Sequence, residues 1–306
     1  PKDESAEQPV NDVEQNLDEE AVEQEDEELS QFPVEIEDNF GNKVTIEEEP
    51  EKIVSLDPSN TETLFALGLG DKVVGVSSNC NYPEEATTKE VVGDYEGTNL
   101  ERIVELNPEI VLVYGAGNED DNKILRDAGI KVLGFLPESI DEVVNTIKTV
   151  GKATGKVEEA DELVKSMMVK KDEIIDIVKD EEEVKVFYEI WHDPLMGAGK
   201  GSFMDELITL SSGKNIAEDA DGAYPQYDLE QLIERDVDVY LASQGMEDIT
   251  IESIKARPGY DVIPAIKNNR IHLFQESEAD MVSRPGPRIV DALEIVAKAI
   301  HPKAFQ

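Results

Sequence analysis

Two glutamates, Glu101 and Glu230, occupy equivalent positions in two related stretches of this sequence. The stretches start at Asn99 and Asp228, align over 15 residues without a gap, and share Leu-Glu followed by one polar and two aliphatic residues. Each glutamate is expected in the first turn of a helix, where its carboxylate complements the helix dipole. Two carboxylates presented symmetrically could also bind two arginines on a two-fold symmetric partner.

A second group of residues that could bind a ligand is aromatic. Four tyrosines and the single tryptophan fall in predicted loops at strand ends: Tyr82, Tyr95, Tyr114, Trp191 and Tyr224. Ligand clefts in parallel α/β sheets open at the carboxyl ends of the strands. We therefore predict that these rings line a cleft, the alternative being that they belong to a core.

The segment Arg284-Pro-Gly-Pro-Arg288 is predicted to be a stiff loop that leads into the last helix. Asp280 lies four residues before Arg284, so this acid and this base could project together into the cleft. The alternative for Arg284, and the prediction for Arg288, is a structural ion pair.

The residues that catalysis or metal binding would need are scattered. His192, His272 and His301 lie far apart, and Cys80 is the only cysteine, which leaves neither metal-ligand spacing nor a nucleophile with a base. The run Gly197-Ala-Gly-Lys-Gly-Ser202 lacks the Ser or Thr that a phosphate loop needs after its lysine. We predict that Ser202 caps the next helix, and that the protein has no metal site, no cofactor and no enzymatic activity.

The charge of the chain bounds its partners. The formal net charge is −42, of which the first 31 residues carry −12 and the remainder −30. Nucleic acid and anionic membrane surfaces are poor partners for such a protein, because both require clustered Lys and Arg. The acidity could serve solubility alone, or it could reflect a high-salt habitat.

Residues 1–31 are acidic and lack hydrophobic periodicity, so we predict a disordered tether. Because the chain starts at Pro1, we expect a processed product whose export signal lay upstream. No run of 18 apolar residues is present, so membrane attachment would need an anchor at the N-terminal end.

The elements that must position these residues alternate between strand and helix. The pattern predicts an N-terminal lobe over 32–157, a connecting helix over 158–182 without Gly or Pro, and a C-terminal lobe over 183–306. A capping box from Ser59 to Glu62 is expected to start the first helix. The fold class is therefore α/β, with two Rossmann-like lobes, one long α-helix between them and a ligand cleft between the lobes.

Several motifs carry a resemblance to a known family. They are Ile53-Val-Ser-Leu, Ser59-Asn-Thr-Glu-Thr-Leu, Gly97-Thr-Asn-Leu-Glu-Arg-Ile, Tyr224-Pro-Gln-Tyr-Asp-Leu-Glu and Arg284-Pro-Gly-Pro-Arg-Ile. Over about residues 33–302 the chain resembles the extracytoplasmic substrate-binding proteins of ABC importers. The class in question joins its lobes by one long helix and takes cobalamin, ferric siderophores or haem.

The likeness is greatest to cobalamin-binding members. It implies that a transported corrin is lined by Tyr82, Tyr95, Tyr114 and Tyr224, with Asp280 and Arg284 as the polar pair and Trp191 adding to the aromatic surface. It also implies that Glu101 and Glu230 dock onto the permease. We accordingly expect a monomeric periplasmic or cell-surface lipoprotein made with a signal peptide.

Three alternatives remain at this stage. A ferric siderophore, if anionic, would need more Arg and Lys than this chain offers. Haem would need an axial ligand, for which Tyr224 or His192 could serve. A metallocluster scaffold or an enzyme on a similar two-lobed fold would need more Cys and His.

Overall fold

The computed structural model describes residues 32–94, 96–244 and 249–306. The predicted tether over 1–31 and the predicted site residue Tyr95 therefore lie outside the described residues. The described chain opens with an antiparallel hairpin, β1 (Val34–Glu37) and β2 (Lys43–Ile46), as the alternating pattern predicts.

The N-terminal lobe continues as a parallel sheet with helices between its strands. Its elements are β3 (Ile53–Ser55), α1 (Pro58–Ala66), β4 (Val73–Ser77), β5 (Glu90–Gly93), α2 (Leu100–Leu106), β6 (Ile110–Tyr114), α3 (Glu119–Asp127), β7 (Lys131–Phe135) and α4 (Ile140–Thr154). The strands lie in the order β5-β4-β3-β6-β7. Strand β5 is short and was not predicted from the sequence.

A single long helix, α5 (Val157–Val178), follows α4. At 1.5 Å per residue it is about 33 Å long. It ends four residues before the predicted boundary at 182, and the four consecutive acids over 180–183 explain this end. Negative charge opposes the dipole at a helix C-terminus, so these acids do not extend the helix.

The C-terminal lobe repeats the alternation. Its elements are β8 (Val184–His192), β9 (Leu195–Gly197), α6 (Phe203–Leu210), β10 (Gly213–Asn215), α7 (Leu229–Glu234), β11 (Val239–Ser243), α8 (Ile251–Lys255), α9 (Pro264–Lys267), β12 (Ile271–Phe274), α10 (Ser277–Ser283) and α11 (Ile289–Ile300). Four parallel strands lie in the order β10-β8-β11-β12, and β9 folds back antiparallel on β8.

The two sheets share one topology. In each lobe the first parallel strand lies between the next parallel strand of the chain and a later one. The shared order is β4-β3-β6-β7 in the N-terminal lobe and β10-β8-β11-β12 in the C-terminal lobe. The helices that carry Glu101 and Glu230, α2 and α7, precede the equivalent strands β6 and β11. The α/β fold class that the sequence predicts is confirmed.

Apolar packing joins the two lobes on the side where α4 and α5 lie. A continuous apolar cluster runs from the N-terminal sheet through α4 and α5 to α6 and α11. Each lobe has a further cluster of its own. The carboxyl ends of the N-terminal strands, by contrast, border an open cavity. In the described part of the chain, no helix is both long enough and apolar enough to cross a membrane.

Candidate ligand cleft

A cavity of about 410 Å³ lies between the carboxyl ends of the N-terminal strands and α10 of the C-terminal lobe. It falls within the range of small-molecule sites, about 300–1,000 Å³. Its lining residues come from both lobes: Leu56, Asp57, Pro58, Ser59, Ser77, Asn79, Asp94, Tyr114, Asp280, Ser283, Arg284 and Pro285. The cavity is thus the interlobe cleft that the sequence predicts, and it contains three of the predicted ligand residues.

Two of the predicted tyrosines are largely exposed. Tyr114 ends β6, lines the cavity and is 54 % exposed, whereas Tyr224 of the C-terminal lobe is 61 % exposed and is not among the lining residues. Burial raises the pKa of Tyr114, and charge interactions with Asp57 and with Tyr224 raise it further. Both rings therefore keep surface that a ligand could contact.

A third tyrosine lies behind this pair. The Tyr188 hydroxyl hydrogen-bonds the Ser243 hydroxyl at 2.7 Å, and either group can donate. Burial raises the pKa of Tyr188 to about 12, with a smaller contribution from its interaction with Tyr224. Tyr188 therefore stays neutral at physiological pH, and its ring belongs to the large apolar cluster.

Asp57, not Ser59, caps the first helix, so the predicted capping box is wrong. Its carboxylate accepts hydrogen bonds from the backbone N–H groups of Ser59 at 2.8 Å and Asn60 at 3.1 Å. Pro58 favours an earlier start because proline suits the first helical position. Burial raises the pKa of Asp57, although these two backbone hydrogen bonds oppose the shift.

Asp280 and Arg284 form the predicted polar pair, with 2.8 Å between the guanidinium and the carboxylate. Arg284 also donates to the Asn81 side chain at 2.7 Å, and Asn81 donates to Asp280 at 3.0 Å. These bonds cross from one lobe to the other. The cleft lining therefore carries three carboxylates, those of Asp57, Asp94 and Asp280, and one guanidinium, that of Arg284.

Glu62 is a functional candidate that the sequence reasoning missed. Its side chain is 2 % exposed and accepts from two arginines of the other lobe, Arg284 at 3.1 Å and Arg288 at 2.6 Å. A second bond from Arg288, at 2.8 Å, makes that pair bidentate. The structural pairing predicted for Arg288 is present. The sequence did contain one indication of this pairing. Glu62 is the only charged residue of its helix, and a buried carboxylate needs a partner.

Three predicted ligand residues are not among those that line the cleft cavity, namely Tyr82, Trp191 and Tyr224. Tyr82 packs beneath Arg288, whose guanidinium carbon is 3.9 Å from the ring centroid. It lines a second cavity of about 750 Å³ beside α1 and α5. Trp191 lies at the carboxyl end of β8, is 37 % exposed, and donates its indole N–H to the Asp193 carbonyl at 2.8 Å.

Glu101 and Glu230 each occupy the second position of their helix and are exposed. The predicted caps are present, because Asn99 accepts from the Arg102 N–H and Asp228 accepts from the Gln231 N–H. Within residues 32–94, 96–244 and 249–306, neither glutamate forms an ion pair. Both carboxylates are thus available to a partner.

The model of a protein family described as periplasmic binding protein matches residues 53–277 of this chain. The match spans most of the folded chain, both lobes included. The chain belongs to the periplasmic binding protein family. The resemblance drawn from the sequence motifs is confirmed at this level.

Relatives in this family include proteins with different descriptions. An uncharacterized ABC transporter substrate-binding lipoprotein of Bacillus subtilis, YvrC, is 38 % identical over 90 % of this chain and 88 % of its own. A cobalamin-binding protein of Halobacterium salinarum is 31 % identical over 88 % of this chain and 74 % of its own.

A solved structure from Staphylococcus epidermidis, described as a possible iron-binding periplasmic solute-binding protein, has 33 % identity to this chain. It matches with a TM-score of 0.73 over 83 % of this chain and all of its own. The two-lobed fold of this periplasmic binding protein is therefore shared with a solved relative.

The described residues also bear on metal binding. Among them, no three His, Cys, Asp or Glu side chains are grouped so that they could hold a metal ion. Cys80 is buried, accepts from the Thr61 hydroxyl at 3.1 Å and lies 3.2 Å from the Ser77 hydroxyl. Its thiol therefore has a packing role beneath the cleft.

Proposed function

We propose that this protein is the substrate-binding component of an ABC importer, and that it captures cobalamin or a related corrinoid in the interlobe cleft. It would work outside the cytoplasm as a lipoprotein and deliver its ligand unchanged to a permease. The observation that carries the proposal is the cleft itself, where the half-exposed Tyr114 lies beside an acidic lining contributed by both lobes.

The chemistry of the lining favours a ligand without excess negative charge. Asp57, Asp94 and Asp280 face the cavity, whereas its single arginine, Arg284, is bound to acceptors of the protein. An anionic chelate would be repelled by such a surface. A large macrocycle with apolar faces and neutral amide edges suits it better, because Tyr114 and Tyr224 would cover the faces and carboxylates would accept from the amides.

The relatives support the same ligand class. The Halobacterium protein that is 31 % identical to this chain is described as cobalamin-binding. The similarity to YvrC, an ABC transporter substrate-binding lipoprotein, supports the importer and the lipid anchor. We further propose that Glu101 and Glu230 contact the permease, since both are exposed and each heads an equivalent helix of its lobe.

The proposal is tested by titrating the purified protein with cobalamin, haem and a ferric hydroxamate in separate experiments. Heat of binding and visible spectra should show saturation with one equivalent of cobalamin. Saturation with haem or the hydroxamate and none with cobalamin would overturn the ligand assignment.

A ferric siderophore or haem is the second candidate ligand. The description of the Staphylococcus structure as possibly iron-binding favours it. Tyr114 or Tyr224 could then supply a phenolate oxygen to iron. A phenolate-to-iron absorption band on loading, lost in the corresponding Tyr→Phe variant, would establish this alternative.

A further inference from the structure

Three side chains join the lobes at the floor of the cleft, namely Glu62 of the N-terminal lobe and Arg284 and Arg288 of the C-terminal lobe. We call them the interlobe triad. Their side chains are 2 %, 13 % and 12 % exposed, respectively. The carboxylate receives two bonds from Arg288 and one from Arg284. One acid therefore binds two cations of the opposite lobe, of which Arg284 also pairs with Asp280 of its own lobe.

The triad is held in place from both sides. The Tyr82 ring stacks on the guanidinium of Arg288, with 3.9 Å between the guanidinium carbon and the centroid. Burial alone would lower the pKa of Arg288, but the bond to Glu62 raises it, so the guanidinium stays charged. The loop between the arginines lies against α1, since a Cβ placed on Gly286 would sit 3.4 Å from the Cα of Ser59.

One member of the triad also faces the ligand cavity. Arg284 lines the cleft together with Asp280 and Asn79. Its guanidinium binds Glu62 at 3.1 Å and Asp280 at 2.8 Å at the same time. Any change in the distance between the lobes at this point must break one of these bonds or carry Arg284 out of the cavity wall.

We propose that Glu62 is a positioning residue that fixes the separation of the two lobes and holds Arg284 in the wall of the ligand cleft. Without the charge of Glu62, Arg288 would lose its carboxylate partner and Arg284 would keep only the carboxylate of Asp280, which belongs to its own lobe. A largely buried cation that loses its partner is strongly destabilised. The lobes would then separate at the cleft floor. The effect on ligand binding rests on the proposed function, whereas the effect on lobe separation does not.

The test measures the distance between spin labels on the two lobes in the ligand-free protein. Labels are placed at the exposed sites Lys123→Cys in α3 and Lys214→Cys in β10, with the buried native thiol removed by Cys80→Ser. Glu62→Gln should shift the mean distance by about 2 Å or more, or broaden its distribution. It should also weaken cobalamin binding about 10-fold or more.

Glu206→Gln is the matched control. This carboxylate also bridges the lobes, accepting from the backbone N–H of Ile140 at 2.9 Å, but it contacts neither arginine. It should leave the distance distribution and the affinity for cobalamin unchanged.

The double variant Glu62→Gln/Arg288→Gln guards against misfolding, because it also removes the cation whose ion pair the first substitution breaks. It should fold and still show the altered distance.

An unaltered distance in either folded variant contradicts the proposal. Failure of both variants to fold also contradicts it, because the triad would then serve folding and not lobe geometry. If the wild type does not bind cobalamin, the proposed ligand fails while the distance result still decides the role of Glu62.

Discussion

The two lobes share a framework but differ at the edges that face each other. Both have the same strand order, and both present an exposed glutamate at the second position of an equivalent, capped helix. At the cleft, the N-terminal lobe contributes Asp57, Asp94 and Tyr114 directly from its strand ends. The C-terminal lobe contributes α10 and the loop after it. The comparison separates a symmetric feature, the glutamate at the head of each helix, from a cleft lining to which the two lobes contribute differently.

The largest expected effect tests the symmetric part of this comparison. Glu101→Ala/Glu230→Ala should abolish uptake of the ligand by whole cells and leave ligand affinity unchanged, because neither carboxylate lines the cleft cavity. Uptake of radiolabelled cobalamin measures the first effect and titration calorimetry the second.

The control for this pair is Asp120→Ala/Glu252→Ala. These acids occupy the same second position in α3 and α8, and both are exposed. Their removal takes away the same interaction with a helix dipole but should leave uptake intact. Equal loss of uptake in both double variants would mean that the glutamates matter only for helix stability.

The next effect tests the specialised part. Tyr114→Ala and Tyr224→Ala should each weaken cobalamin binding by about 2 kcal/mol, or about 30-fold, because each removes an aromatic contact surface. Tyr114→Phe and Tyr224→Phe keep the ring faces and should bind nearly as well as the wild type. Titration calorimetry on all four variants separates stacking from hydroxyl contributions. Equal losses for Ala and Phe would place the binding energy in the hydroxyls.

A smaller effect distinguishes the caps of α2 and α7. Asp228→Ala and Asn99→Ala should each lower the free energy of unfolding by about 1 kcal/mol in urea denaturation. The loss should be greater at Asp228, because its capping box with Gln231 is reciprocal while Asn99 makes a single capping bond. Asp228→Asn, which can still cap, is the control. A larger loss at Asn99 would contradict this ranking.

The smallest effect concerns Asp57. Its pKa is raised by burial, so the folded state disfavours the ionised form. The wild type should therefore gain stability relative to Asp57→Asn as the pH falls through the raised pKa toward the ordinary value of 3.8. Asparagine caps a helix about as well as aspartate, so the variant keeps the hydrogen bonds. Urea denaturation at pH 7 and pH 4 checks this, and a pH-independent difference would contradict it.

The sequence predicted the framework well because the framework depends on local patterns. The alternation of strand and helix in both lobes follows from apolar periodicity and agrees with the structure. The strands β5, β9 and β10 were missed because they have only three or four residues each, too few for a period to show.

The candidate site was predicted only in part, because much of it depends on contacts between distant residues. Tyr114, Asp280 and Arg284 do line the cleft. The partner of Glu62, by contrast, lies more than 220 residues away in the chain, and no local pattern indicates such a pairing. Tyr82 was assigned to the cleft from its position in a loop, but its stacking with Arg288 places it on a different cavity.

A crystal structure of the protein grown with cobalamin tests the central claim most directly. The account predicts one corrin ring between Tyr114 and Tyr224, with its amide edge near Asp280. Density for the ligand in the cavity beside Tyr82, or outside the space between the lobes, would contradict it.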